Sequence, residues 1–143
     1  MRLVRVRQRG KIRTKPDGKW MPFTAVQHYS VEPPAFVWFA EVEGMPLQIL
    51  DSYVDGRGVM TGRLASLVNV VDAEGPELDQ GELLRYLQET IFFPTALLES
   101  RVRWEVVDER SARATIRDGA LEVSGLFRFN EAGDLVDFEA QRY

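Results

Sequence analysis

The chain has 143 residues, a length that suits one domain able to bury a real core, with 45% hydrophobic and 28% charged residues. A formal charge of −4 argues against a dedicated nucleic-acid binder, since such domains are usually basic. The absence of cysteine excludes disulfides, thiolate metal sites and cysteine nucleophiles.

The opening Met-Arg-Leu-Val-Arg-Val-Arg has no apolar core of a signal peptide. No stretch approaches the ~20 apolar residues of a membrane helix. Both point to a soluble, cytoplasmic protein. Residues 3 to 14 alternate, with Val4, Val6 and Ile12 on one face and Arg5, Arg7, Arg9, Lys11 and Arg13 on the other. Lys15-Pro16-Asp17-Gly18 is a turn, and a second strand runs from about Lys19 to Val31. After Pro33-Pro34, the run Phe36 to Ala40 is apolar on both faces, which predicts cover on both. Leu47 to Val54 is a strand, Asp55-Gly56-Arg57-Gly58 a hairpin turn needing positive φ, and Val59 to Val71 extended with a bulge at Gly62. Residues 72–76 read as loop.

A central helix is predicted over residues 79–93. Asp79 and Glu82 stand at capping-box spacing, and Leu83, Leu84, Leu87 and Ile91 form the buried stripe. Glu82, Arg85 and Glu89 share the other side, and Pro94 ends the pattern. Four more strands follow at intervals near ten residues, with inward Val102, Trp104 and Val106, then Ala112, Ala114 and Ile116, then Leu121, Val123, Phe127 and Phe129, then Val136, Phe138 and Ala140. Such a large antiparallel sheet cannot stay flat. The predicted fold is mainly β (α+β): a strongly curved sheet of about nine strands, a half-barrel wrapped on one helix, forming a single domain over residues 1–143.

The strings Gly18-Lys19-Trp20-Met21-Pro22-Phe23-Thr24-Ala25, Pro33-Pro34-Ala35-Phe36-Val37-Trp38, residues 79–87 and Phe93-Pro94-Thr95-Ala96-Leu97-Leu98 resemble a family of bacterial proteins of unknown function. Trp104, Asp108, Gly133 and the closing Arg142-Tyr143 fit the same pattern. The resemblance implies a fold similar to the lipoprotein-carrier (LolA/LolB-like) half-barrel, whose curved sheet and helices enclose a space for acyl chains. It brings no activity and no catalytic residues with it.

The sole histidine, His28, lies within a strand. As a general base it needs Asp51 or Glu89 to orient it, and no Gly-x-Ser-x-Gly elbow supplies a nucleophile. Arg85 and Glu89 have three readings: a pair meeting a ligand head group, a solvated i,i+4 pair worth about 0.3 to 0.5 kcal/mol, or a structural bridge with Asp108 or Arg142. The stripe Arg5-Arg7-Arg9-Lys11-Arg13-Lys15 suits phosphate, anionic lipid or an acidic partner, unless Asp134, Asp137 and Glu139 neutralise it across the sheet. The scattered carboxylates show no metal-ligand spacing, so neither metal nor cofactor is expected. Trp38 and Trp104 join His28, Arg85 and Glu89 as ligand-lining candidates, although core packing also accounts for the tryptophans. Three functions follow: non-enzymatic binding of a hydrophobic or acyl-like small molecule or lipid, a small hydrolase using His28, or an interaction module pairing through a strand edge.

Overall fold

The computed structural model describes residues 2–13, 15–65 and 67–142. Ten strands and one helix follow in order: β1 (Leu3–Ile12), β2 (Met21–Ser30), β3 (Ala35–Val42), β4 (Leu47–Val54), β5 (Arg57–Leu64), β6 (Val68–Glu74), α1 (Pro76–Glu89), β7 (Val102–Asp108), β8 (Ser111–Asp118), β9 (Leu121–Phe129) and β10 (Leu135–Glu139). Two 3-10 segments, Thr90–Phe92 and Pro94–Leu98, lead out of the helix. The expected end of the first strand at Thr14 and the closing Tyr143 lie outside the described residues.

The expected single sheet of about nine strands is two antiparallel sheets: six strands in the order β1-β2-β3-β4-β5-β6, and four in the order β10-β9-β8-β7. Each is a meander. The sheets separate because residues 76–98 carry the chain away between β6 and β7. The tenth strand comes from the run expected as one extended segment over Val59 to Val71. It turns back after Leu64, with Ala65 at φ 52° and the Leu67 amide on the Leu64 carbonyl at 3.1 Å. The sequence from Leu64 to Val68 holds no Gly, Pro, Asn or Asp, and its one serine is a weak turn signal, so this hairpin is hard to read in the sequence. The bulge expected at Gly62 is present as a register shift between Gly62 and Arg63.

Other turns follow their residues. Asp55 (φ 52°) and Gly56 (φ 78°) both take positive φ between Val54 and Arg57. The Asn130 side-chain oxygen accepts from the amides of Ala132 and Asp134 at 3.0 and 2.9 Å, folding the β9–β10 turn onto itself.

The helix begins three residues earlier than expected. Gly75 precedes it, Pro76 occupies the first turn, and Glu77 and Asp79 place negative charge at its N-terminus. The Asp79–Glu82 capping box does not form. Asp79 instead accepts from the Gly58 amide at 2.7 Å, tying α1 to β5. Leu83, Leu84 and Leu87 are buried, whereas Ile91, expected to continue their stripe, is about half exposed in the first 3-10 turn.

One core joins both sheets to α1: Tyr29, Phe36, Trp38 and Tyr53 from the large sheet, Ala114, Ile116, Val123 and Phe127 from the small one, and Leu83, Leu84, Tyr86, Leu87 and Phe93 between them. Tyr53 O–H donates to Asp118 at 2.8 Å, linking the sheets directly. The cover expected on both faces of β3 is found on one. Phe36, Trp38 and Ala40 are buried, but Val37 and Phe39 remain partly exposed on the outer face.

Candidate functional site

The inner face of the large sheet carries polar residues where its apolar phase would continue. Gln8 follows Val4 and Val6 on β1, Gln27 lies between Ala25 and Tyr29 on β2, and Asp51 between Ile49 and Tyr53 on β4. Strand register lines three side chains up across the sheet: Gln27 opposite Trp38, and Trp38 opposite Asp51. Against this row α1 presents Glu82, Arg85 and Glu89, which its spacing puts on one side.

A continuous hydrogen-bond chain results. The Trp38 indole N–H donates to Gln8 Oε1 at 2.7 Å, and Gln8 Nε2 to Gln27 Oε1 at 3.0 Å. Gln27 Nε2 donates to Glu89 Oε2 at 2.7 Å, and the Tyr29 hydroxyl to the same oxygen at 2.9 Å. Arg85 Nε donates to Glu89 Oε1 at 2.9 Å, while its Nη1 donates to Asp51 Oδ2 and lies 3.6 Å from Glu82 Oε2. The guanidinium sits over the rings of Phe36 and Trp38, with centroids 4.7 and 5.6 Å away. Arg142, past the end of β10, approaches Glu82 Oε1 at 3.6 Å.

Burial sets the electrostatics. The side chains of Asp51 and Glu82 are only 4% and 2% exposed. Asp51 Oδ1 and Glu82 Oε2 have no hydrogen-bond partner among the described residues. Burial pushes the Glu82 carboxyl up to about 7, and the nearby Asp51 charge adds to the rise against the pull of Arg85 and Arg142. Burial raises Asp51 too, although Arg85 opposes it. Tyr29 stays protonated, raised by burial and then by Glu89. For Arg85, burial alone would weaken the charged form, but Glu89 and Asp51 outweigh it and hold the guanidinium charged.

A cleft of about 370 Å³ opens above this network, lined by Leu84, Arg85, Gln88, Glu89, Phe138, Ala140 and Arg142. Its apolar wall comes from Leu84, Phe138 and Ala140. Arg85 and Glu89 reach it from the floor, and the more exposed Gln88 and Arg142 stand at its rim.

Of the residues proposed from sequence, Trp38, Arg85 and Glu89 come together here. His28 does not. It is exposed on the outer face of β2, while its neighbours Gln27 and Tyr29 point inward toward Glu89. Asp51 and Glu89 lie on that inner side, so neither is placed to orient the imidazole. Trp104 belongs to the other sheet, where its ring packs on Phe127 at 5.4 Å and its N–H donates to the Leu97 carbonyl at 3.1 Å. The solvated reading of Arg85–Glu89 gives way to a buried network, and of the two bridging partners considered, Arg142 reaches the helix, through Glu82. Sequence reasoning missed Gln8, Gln27 and Tyr29, and took Glu82 for a cap. The signal was available: a glutamine or aspartate at the inward phase of a strand is a buried polar group that needs a partner. Among the described residues no group of three or more His, Asp or Glu is arranged to hold a metal ion, and no helix is long and apolar enough to cross a membrane.

These features define a mainly β protein of two antiparallel sheets and one helix, with a buried ionic network under an open cleft. The chain belongs to a family of unknown function, DUF6544, whose profile matches residues 1–143. No curated protein and no solved structure matches it.

Proposed function

We propose that this chain is a non-enzymatic binding domain that holds a small amphiphilic, acyl-like molecule in the cleft between α1 and the chain's final segment. The supporting observation is the cleft itself: an apolar wall of Leu84, Phe138 and Ala140 facing a rim that carries Arg142. Its volume falls within the roughly 300 to 1,000 Å³ of small-molecule sites. An aliphatic chain would lie on the wall and a carboxylate head would meet Arg142, which is 59% exposed and, among the described residues, held by a 3.6 Å contact to Glu82. Arg85 serves differently. Three carboxylates already engage it, so it shapes the floor and is not free for a ligand.

This places the ligand elsewhere than between the helix and the centre of the sheet. That space is filled by Tyr29, Phe36, Tyr53, Leu83 and Leu87, each at most 1% exposed. Two sheets sharing a core with one helix suit the half-barrel comparison, which remains part of this proposal. A hydrolase built on His28 finds no support, because its candidate carboxylates face the opposite side of the sheet.

Calorimetric titration with decanoate, decylammonium and decyl maltoside tests the reading. Decanoate is expected to bind, Arg142→Ala to abolish most of that binding, and Phe138→Ala to weaken it. Absence of binding by all three amphiphiles, or decanoate binding untouched by both substitutions, refutes it.

A further inference from the structure

Among the described residues, nothing covers the outer face of the six-stranded sheet. Cross-strand register orders it in rows. One row runs Arg5, His28, Val37, Ser52, Val59, Glu74, and the next runs Arg7, Val26, Phe39, Leu50, Thr61, Asp72. A sheet face exposed to water normally alternates to polar residues. Here its middle is apolar: Val37, Phe39 and Leu50 are 37%, 40% and 37% exposed, with Val26 and Val59 beside them. Within these two rows the charges are sorted to the flanks, while the neighbouring row carries Glu41 on β3 and Arg63 on β5. Arg5, Arg7, Arg9 and Lys11 stand on β1, and Asp72 and Glu74 on β6.

The basic flank is also unneutralised. The residues opposite it on β2 are His28, Val26, Thr24 and Pro22. The acids expected to balance it lie on or beside β10 in the other sheet, where Asp137 and Glu139 pair with Arg128 at 2.7 and 2.5 Å and Asp134 with Asn130 at 3.1 Å. Among the described residues Arg5, Arg7, Arg9 and Lys11 form no ion pair, and neither do Asp72 and Glu74.

We propose that this face is the interface of a two-fold symmetric dimer of the chain, with sheets packed face to face and the axis parallel to the strands between β3 and β4. A two-fold interface must be self-complementary, and this axis makes it so. It lays β1 over the partner's β6, β2 over the partner's β5, and β3 over the partner's β4, while keeping each row over itself. Arg5 then faces the partner's Glu74, Arg7 the partner's Asp72, and Phe39 the partner's Leu50. An axis perpendicular to the strands lays β1 over the partner's β1 and opposes arginine to arginine, which is strongly unfavourable. Charge sorting therefore selects one of the two face-to-face arrangements. Six strands at about 4.8 Å spacing, over about six residues of about 3.4 Å, give a face of roughly 600 Å². That approaches the ~800 Å² per partner of a standard interface, so a micromolar, salt-sensitive dimer is expected.

Sedimentation velocity on the full chain, over a range of concentration and salt, tests this directly. A dimer is expected at low salt, loosening as salt rises. Phe39→Glu should leave a monomer. Arg7→Glu and Asp72→Arg should each weaken association about tenfold or more, and the double variant should recover most of the loss. All these positions are on the outer face, so unchanged circular dichroism and melting certify folded variants. A monomer at every concentration in low salt overturns the proposal. So does a dimer indifferent to Phe39→Glu, or charge reversals without mutual rescue. Capture of the monomer by phosphatidylglycerol vesicles through Arg5 to Lys11, with no dimer in solution, would assign the face to a membrane surface instead.

Discussion

Gln27 on β2 donates to Glu89 near the end of α1 across 2.7 Å, and that oxygen also accepts from Tyr29, while its twin takes Arg85. One carboxylate thus joins two residues of a strand to the helix. Glu89→Ala removes the acceptor for three donors and leaves Arg85 without one of its counter-charges. Arg85 and Glu89 keep 22% and 18% of their side chains exposed, so the loss should fall below the roughly 3 to 5 kcal/mol of a fully buried ion pair, at about 1 to 3 kcal/mol. Glu89→Gln keeps an acceptor and should cost less. Urea unfolding of the two variants against the parent measures this order. A loss under about 0.5 kcal/mol for Glu89→Ala would return Arg85–Glu89 to the status of a solvated pair.

Glu82 predicts a pH dependence. Its carboxyl rises from an ordinary 4.5 to about 7 in the folded chain. A raised folded value means that the native state binds the proton more tightly than the unfolded state. The contribution to stability is therefore complete below about pH 4.5 and is lost as pH rises through about 7. The gap corresponds to roughly 3 kcal/mol. Glu82→Gln mimics the protonated form at every pH. It should match the parent near pH 4.5 and melt several degrees above it at pH 8. Equal melting temperatures at pH 8 would show that Glu82 is comfortably ionised among its neighbours.

Gly58 on β5 predicts a backbone-limited site. A Cβ there would lie 2.7 Å from the Leu78 carbonyl oxygen and 3.1 Å from the Asp79 nitrogen. These are helix backbone atoms and cannot swing aside. Gly58→Ala should push α1 from β5, stretch the bond from the Gly58 amide to Asp79, and cost on the order of 1 to 3 kcal/mol. Thermal melting measures the loss, and an alanine variant as stable as the parent would show that the helix can shift without penalty.

Strand periods and turn residues carried much of the architecture in readable form. Alternation along β1, the Asp55-Gly56 turn and the meander after residue 100 all express local chemistry, and local chemistry is what a sequence displays. The hairpin at Ala65 escaped because its geometry is imposed by neighbours: the Ala65 amide bonds the Pro46 carbonyl at 2.6 Å. The helix start shifted because tertiary contact took Asp79 from its capping role. The site was half legible. Trp38, Arg85 and Glu89 announced themselves by type, whereas Gln8, Gln27 and Asp51 signalled only that each needs a buried partner, and register under the helix supplies which one. His28 shows the converse. A chemically suggestive residue sits one position from the network, and the two-residue period of a strand turns it to the other side.

That parity also governs the cleft wall. Gly125 on β9 lies beneath the Phe138 ring of β10, and a Cβ at Gly125 would come within 2.3 Å of it. Phe138 packs edge-on against Phe127 at 4.9 Å and lines the cleft with Leu84 and Ala140. Gly125→Ala must displace the ring, costing about 1 to 3 kcal/mol and reshaping the wall on which an aliphatic ligand would lie. Phe138→Ala alone leaves a void beside Phe127 and costs a few kcal/mol. The two changes should not add. With the ring gone the alanine methyl has room, so the double variant should be about as stable as Phe138→Ala alone. A double-mutant cycle by chemical denaturation measures the coupling. Strict additivity would place the Gly125 constraint somewhere other than the Phe138 ring.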